Sequence, residues 1–200
     1  LGQILPLLLL ITVVIGAFYP AVDLTAGEKE RGTLQTLLSA PVHATDIVTG
    51  KFLAVCAITL LAGFANIGSV VLFFGHSMLL GSMDLPPEFQ LDLSMTTWAL
   101  LLMTVVVMGL FFSAVLMAVA VLARSFKEAQ TFLTPVYFAC LIPAMIAQLP
   151  GIELTLATAW IPGMNVTLLM RNLLMEQASI VGIATVLCAN ILYSAIALYF

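Results

Sequence analysis

Five long runs of residues without Lys, Arg, Asp or Glu constrain this chain more than any other feature. They cover 1–22, 52–83, 93–123, 129–152 and 177–200. An α-helix needs about 20 consecutive apolar residues to cross the hydrocarbon core of a bilayer, and each run is long enough. The chain is 62% hydrophobic and 8% charged, whereas a soluble domain carries about 25% charged residues. The runs therefore predict an all-α integral membrane protein, and their unbroken length argues against a β-barrel.

The runs predict a single transmembrane domain over residues 1–200. Its expected spans are about 3–22, 52–75, 97–122, 131–149 and 178–200, with a cytoplasmic segment 23–51 and an outer segment 150–176. The run 154–170 is interrupted by Pro162 and Gly163. We prefer an outer re-entrant or interfacial helical segment here, and a sixth span is the alternative.

Side chains within the spans suggest how the helices pack. In the second span Gly63, Gly68 and Gly75 offer positions for close helix packing. Asn66 and Asn190 are expected to form hydrogen bonds between helices. Pro135 and Pro143 are expected to kink the fourth span. Neither Asn66 nor Asn190 indicates a route for ions through the membrane.

The distribution of Lys and Arg predicts the orientation of the spans. Five of the six basic residues fall on one side if the spans alternate in direction: Lys29, Arg31, Lys51, Arg124 and Lys127. The loop between the second and third spans holds Asp84, Glu88 and Asp92 and no Lys or Arg. The basic side is thus expected to be cytoplasmic, in the inner (plasma) membrane of a bacterium. Residue 1 then lies outside, and we expect another span upstream.

The segment 23–51 concentrates charge of both signs. Thr25 and Glu28 fit a capping box, with Thr25 as the N-cap. Leucines at 34, 37 and 38 then share one face of a predicted helix over 28–40 that Pro41 ends. Thr45 or Asp46 is a candidate cap for the next helix. An ordinary positive-inside loop is the simpler interpretation, but the mixed charges and the leucine face favour docking to a cytoplasmic protein.

The stretch "DLTAGEKERGTLQTLLSAPVHATDIVTGKFLA" resembles the signature segment of type-2 ATP-binding cassette (ABC) exporter permeases, and most closely the sodium-export permease subfamily. The matching positions are Asp23, Glu28, Glu30, Arg31, Gly32, Thr33, Leu34, Leu37, Leu38, Pro41, Gly50 and Lys51. The later stretches "ARSFKEAQTFLTPVYFACLIPAM" and "IPGMNVTLLMRNLL" are also similar to that subfamily. His43 and Ala44 depart mildly from the pattern, which commonly has Arg or Ser there.

The resemblance implies a function and a set of partners. The 28–40 helix would be the coupling helix that docks on an ABC ATPase subunit, with the matching residues from Glu28 to Lys51 as the docking set. Two permease subunits, identical or different, and two ATPases would form an exporter that works by ATP-driven alternating access among membrane lipids. The fold would be the type-2 exporter fold without its first span. ATP and magnesium would bind the ATPase, with no cofactor in this chain.

The sequence gives little support for nucleotide binding, catalysis, metal binding or nucleic-acid binding by this chain. A phosphate loop around Gly50 and Lys51 requires Gly at 45 and Ser or Thr at 52, but the chain has Thr45 and Phe52. No catalytic or metal-binding motif occurs, His43 and His76 are expected on opposite sides of the membrane, and six basic residues make no nucleic-acid patch. The alternatives to an ABC permease are the membrane module of a fused permease–protease and an ion-coupled secondary transporter.

Overall fold

The computed structural model describes residues 4–80 and 94–199, with the backbone alone for Leu38 and 74–80. Those residues form helices and connecting loops with no strand. The helices are α1 (Ile4–Val22), α2 (Glu28–Arg31), α3 (Thr33–Leu38), α4 (Ala44–Leu80), α5 (Met95–Ala120), α6 (Phe126–Ile146), α7 (Met164–Leu174) and α8 (Ile180–Tyr199). Five helical stretches among them are long and apolar enough to cross a membrane. The predicted all-α fold with five spans is confirmed.

Some predictions fall on residues that are not described. The acidic loop with Asp84, Glu88 and Asp92 lies outside the described residues, and so do the side chains of His76 and Gly75.

The centre of the bundle is α5, which packs against α1, α4 and α8. Of the 18 most apolar consecutive residues of α5, 67% are buried in the bundle. The corresponding stretches of α4, α6 and α8 are each 22% buried. Glycines allow α1, α4 and α5 to approach closely. A Cβ on Gly63 would lie 2.8 Å from Val105 and 3.1 Å from Val13. The packing role predicted for Gly63 is confirmed, but Gly68 packs closely against none of the described residues, because a Cβ added there would have none of their atoms within 4 Å.

The two asparagines within the spans behave differently. Asn66 in α4 donates to Thr12 Oγ1 in α1 at 2.9 Å, which confirms the predicted bond between helices. Asn190 in α8 donates to Val186 O of its own helix at 2.8 Å, and among the described residues its Oδ1 has no partner. The interhelical prediction for Asn190 is therefore wrong.

The segment after α6 is built from short pieces. A 3₁₀ turn at Thr158–Trp160 is followed by α7, whose 11 residues would extend only about 16 Å. That length is well short of a span, so the structure favours our preferred interpretation over a sixth transmembrane helix. Tyr193 of α8 donates to Trp160 O at 2.7 Å and holds the turn against the last span.

The α2 helix, which follows the first span, and the loop between α5 and α6 lie at the same end of the bundle. Two contacts show this, because Lys29 donates to Ala123 O at 3.3 Å and Phe126 N donates to Glu30 at 2.6 Å. We call this end the basic end, since the five basic residues Lys29, Arg31, Lys51, Arg124 and Lys127 lie on the segments that meet there. The sixth, Arg171, donates to Ala147 O and Ile152 O beyond the far end of α6.

Candidate docking site at the basic end

The first span continues past its predicted end. A helix runs over Ile4–Arg31, with a π-helical turn at Asp23–Gly27 that joins α1 to α2. Thr25 lies inside this helix, and its hydroxyl donates to Ala21 O at 2.5 Å. The prediction that Thr25 is an N-cap is therefore wrong, because no helix begins there.

The π turn is closed by an ion pair. Arg31 Nη1 lies 2.9 Å from Asp23 Oδ1, and both side chains are about half exposed. Gly27 is buried beneath this pair, where an added Cβ would lie 3.1 Å from Asp23 Oδ1 and 3.4 Å from the Arg31 guanidinium. Single π turns inside α-helices frequently occur at functional sites.

Gly32 separates α2 from α3. Its φ of +73° is left-handed, a conformation that glycine adopts at no steric cost and that commonly ends a helix. The α3 helix then covers only Thr33–Leu38 and ends in a turn where Ser39 N donates to Gln35 O at 3.1 Å. The prediction of one continuous helix over 28–40 is thus wrong in its bounds, although the leucine-bearing part is helical.

Among the described elements, the main neighbour of α3 is α2. Thr33, Gln35 and Thr36 are exposed, and the side chains of Leu34 and Leu37 are only half-buried. The α3 helix therefore stands out from the basic end of the bundle.

The exposed surface continues from α3 into α4. Pro41 and His43 are exposed, and so is Gly50 in the second turn of α4. Val42 and Val48 are 52% and 49% exposed. We call residues 32–50 the docking surface.

The start of α4 also differs from the prediction. The backbone N–H groups of Asp46 and Ile47 donate to His43 O, so α4 begins directly after His43. Thr45 and Asp46 lie within its first turn and are not caps.

Two charged residues of the signature, Glu28 and Lys51, are largely buried beside this surface. Glu28 Oε2 and Lys51 Nζ are 2.5 Å apart, with side chains 18% and 14% exposed. Lys51 also donates to Leu24 O at 2.8 Å. The structure thus brings Glu28 and Lys51 together, although 23 positions separate them in the sequence.

An open groove of about 440 Å³ lies next to the π turn. Its walls come from α1, the π turn, α4 and the start of α6: Tyr19, Pro20, Asp23, Leu24, Ile58 and Phe126. Among the described residues, no group of three His, Cys, Asp or Glu side chains is arranged to hold a metal ion.

Comparison with known proteins places the chain in a family. The family model described as "ABC-2 family transporter protein" matches residues 3–198. The chain belongs to the ABC-2 transporter family. The predicted resemblance to type-2 ABC permeases is therefore confirmed, and the chain is a multi-pass membrane permease domain.

One curated relative of this ABC-2 chain is the "ABC transporter permease protein NatB" of Bacillus subtilis (strain 168). The two are 31% identical over 179 residues, which is 87% of this chain and 45% of the relative. The chain thus spans about half the length of the curated relative that it matches. No solved structure matches the chain significantly.

Two basic residues of this ABC-2 chain, Lys29 and Arg171, make contacts that the sequence does not predict. Lys29 contributes to the sequence pattern only as a positive charge, yet it reaches the end of α5. Arg171 is the one basic residue that does not lie at the basic end, and the sequence gives no reason for its position. In the structure it joins α7 to two carbonyl groups that follow α6. The sequence does indicate that Lys29 has a partner of its own, because consecutive helical residues point about 100° apart. The four charges of Glu28–Arg31 therefore cannot all face one partner.

Proposed function

We propose that this chain is the membrane-spanning part of an ABC exporter permease in a bacterial inner membrane. It moves substrate by alternating access, and the docking surface receives the force of ATP hydrolysis from a separate ATPase subunit that binds ATP and magnesium. The observation that carries the proposal is the α3 helix, which stands out from the basic end with Leu34 and Leu37 only half-buried.

A helix as short as α3 needs a partner to be stable. Isolated helices of fewer than about 12 residues are marginal in water, and most helical stability in proteins comes from packing of an apolar face. Within this chain Leu34 and Leu37 of α3 are only half-buried. A groove on an ATPase would cover Leu34 and Leu37 and complete the packing, in the way that amphipathic helices bind hydrophobic grooves.

The absence of a phosphate-loop pattern in this sequence supports a separate ATPase subunit. The only Gly-Lys pair in the sequence, Gly50 and Lys51, lacks the phosphate-loop pattern, and Lys51 is paired with Glu28. The relative NatB is named an ABC transporter permease, which suits a subunit that depends on an ATPase. A second permease subunit would complete the translocation path, as the resemblance implies.

The docking set from the signature now divides into two groups. We propose that Gly32, Thr33, Leu34, Leu37, Leu38 and Pro41 form the contact with the ATPase. The charged residues Glu28, Glu30 and Lys51 support that contact from within the permease, Arg31 pairs only with Asp23 of its own helix, and Gly50 lies at the exposed end of the surface.

The test is co-purification of the full-length permease with its ATPase. Leu34→Glu with Leu37→Glu places two charges on the leucine face and is expected to reduce ATPase recovery at least about tenfold, because burying an unpaired charge is costly. The matched control is Gln35→Glu with Thr36→Glu, which adds the same charge to the opposite face and should retain the ATPase. Equal recovery in both variants would contradict the docking role of α3.

A further inference from the structure

Three of the four consecutive charged residues at 28–31 join the end of the first span to three other spans. We call Glu28–Arg31 the charged joint. Glu28 pairs with Lys51 of α4, Lys29 donates to Val121 O and Ala123 O after α5, and Glu30 accepts from the N–H that begins α6.

The signs of these charges match the helix ends that they meet. The carbonyl end of a helix carries a partial negative charge and the N–H end a partial positive one. Lys29 meets the carbonyl end of α5, whereas Glu30 accepts from Phe126 N at 2.6 Å at the start of α6. Charge-assisted hydrogen bonds are roughly twice as strong as neutral ones, so each contact fixes the position of a helix end.

The fourth charge serves as an internal comparison. Arg31 pairs with Asp23, which lies on the same continuous helix, and both side chains are more than half exposed. Exposed pairs contribute little, and this one links no second span. Arg31 therefore differs from the other three in connectivity, and it is more exposed than Glu28.

The joint is also the only described covalent route from α3 into the first span. The α3 helix contacts chiefly α2 and is attached to it through Gly32. A displacement of α3 reaches α2 through Gly32 and α4 through residues 39–43. Since α2 is the end of the helix Ile4–Arg31, the first span moves with it.

We propose that Glu28, Lys29 and Glu30 are positioning residues that pass a displacement of α3 to α4, α5 and α6 at the same time. Without them the displacement would reach α5 and α6 only through the packing of the first span and α4 against them. This inference rests on the proposed function, because it assumes that an ATPase displaces α3. It assigns the charged part of the signature to transmission within the permease and the leucine part to docking.

The test measures movement rather than stability. In the full-length permease bound to its ATPase, spin labels replace the exposed side chains Leu61 on α4 and Phe138 on α6. The exposed Cys188 is changed to serine to prevent unwanted labelling. Electron spin resonance then gives the distance between the labels with and without ATP trapped by vanadate.

Charge removal with little change of shape is the perturbation. Glu28→Gln and Glu30→Gln are each expected to lower the fraction of molecules that change distance on trapping by about tenfold, the equivalent of one charged hydrogen bond. Lys51→Arg keeps the charge opposite Glu28 and should preserve the change, and so should the matched control Arg31→Gln. A merely structural role would lower thermal stability in the two glutamate variants but leave the distance change intact.

Co-purification of the ATPase with each variant separates the two proposals. If the glutamate variants hold the ATPase and still show the full distance change, the joint does not transmit movement and this inference fails alone. If the unmodified permease does not bind the ATPase at all, the proposed function fails, and the inference that rests on it fails too.

Discussion

Replacing Gly163 with alanine tests the packing of α7 on α6. Gly163 precedes α7 with a φ of +80°, and an added Cβ would lie 2.1 Å from Cys140 O and 2.9 Å from Cys140 C. A carbon and a carbonyl oxygen normally approach to about 3.3 Å at closest. The alanine therefore requires a separation of roughly 1 Å between the backbone of α6 and the start of α7.

The cost of Gly163→Ala has two parts. Holding alanine at a positive φ costs about 1–3 kcal/mol, and overpacking a well-packed contact costs about 1–3 kcal/mol more. The central expectation is about 4 kcal/mol, because both neighbours are backbone atoms that cannot rotate away. At about 2–4 °C for each kcal/mol in a chain of this length, the unfolding midpoint should fall by roughly 8–16 °C.

Gly151→Ala is the matched control for Gly163→Ala. Gly151 has a φ of +86° but no atom within 4 Å of an added Cβ, so only the conformational cost remains. Its midpoint should fall by roughly 4–8 °C, as measured by thermal unfolding of the purified protein in detergent. Equal losses in the two variants would refute the close contact between Gly163 and Cys140.

Two further substitutions test the packing of the spans and the attachment of α7. Gly63→Leu should lower the unfolding midpoint by forcing α1 and α5 away from α4, at a cost of about 1–3 kcal/mol. The control Gly68→Leu, on the same helix, should be tolerated. A larger loss of stability in the Gly68 variant would show that the helix contacts are misassigned. Arg171→Gln should cost about 1–3 kcal/mol by leaving carbonyl groups without their charged partner, and Arg171→Lys should recover only part of this because one ammonium lacks the fork of a guanidinium. Full recovery in the lysine variant would indicate that charge alone matters, and both effects can be read from thermal unfolding.

The spans were predictable because the bilayer sets their length, but the ends of the helices were less so. The apolar run predicted a fourth span from 131, whereas α6 begins at Phe126. The reason is capping, since Ser125 Oγ accepts from Glu128 N and Glu128 Oε2 accepts from Arg124 N. Hydropathy reports where a helix enters the membrane, and polar caps report where the helix begins.

The docking segment shows which local signals can mislead. Thr25 and Glu28 satisfy the capping pattern, but no breaker lies between Ala21 and Ala26 to end the preceding helix. The helix therefore continues and Thr25 bonds to the turn before it. A capping pattern indicates a helix start only where the preceding residues stop being helical.

The contacts of the charged joint could not have been predicted from one sequence. Lys29 and Glu30 meet groups that lie 92 to 96 positions away, and nothing local specifies those partners. What the sequence does provide is the angular spacing of charged residues on a helix. That spacing excludes a single shared partner for all four charges.

Site-specific cross-linking tests the central claim, that α3 docks on an ATPase, most directly. A photoreactive amino acid is placed at Leu37 in α3 of the full-length permease, and at Leu61 on the exposed face of α4 as the matched control. The account predicts that irradiation links the permease to its ATPase subunit from position 37 and not from position 61. A permease that purifies with its ATPase but gives no cross-link from position 37 would contradict it.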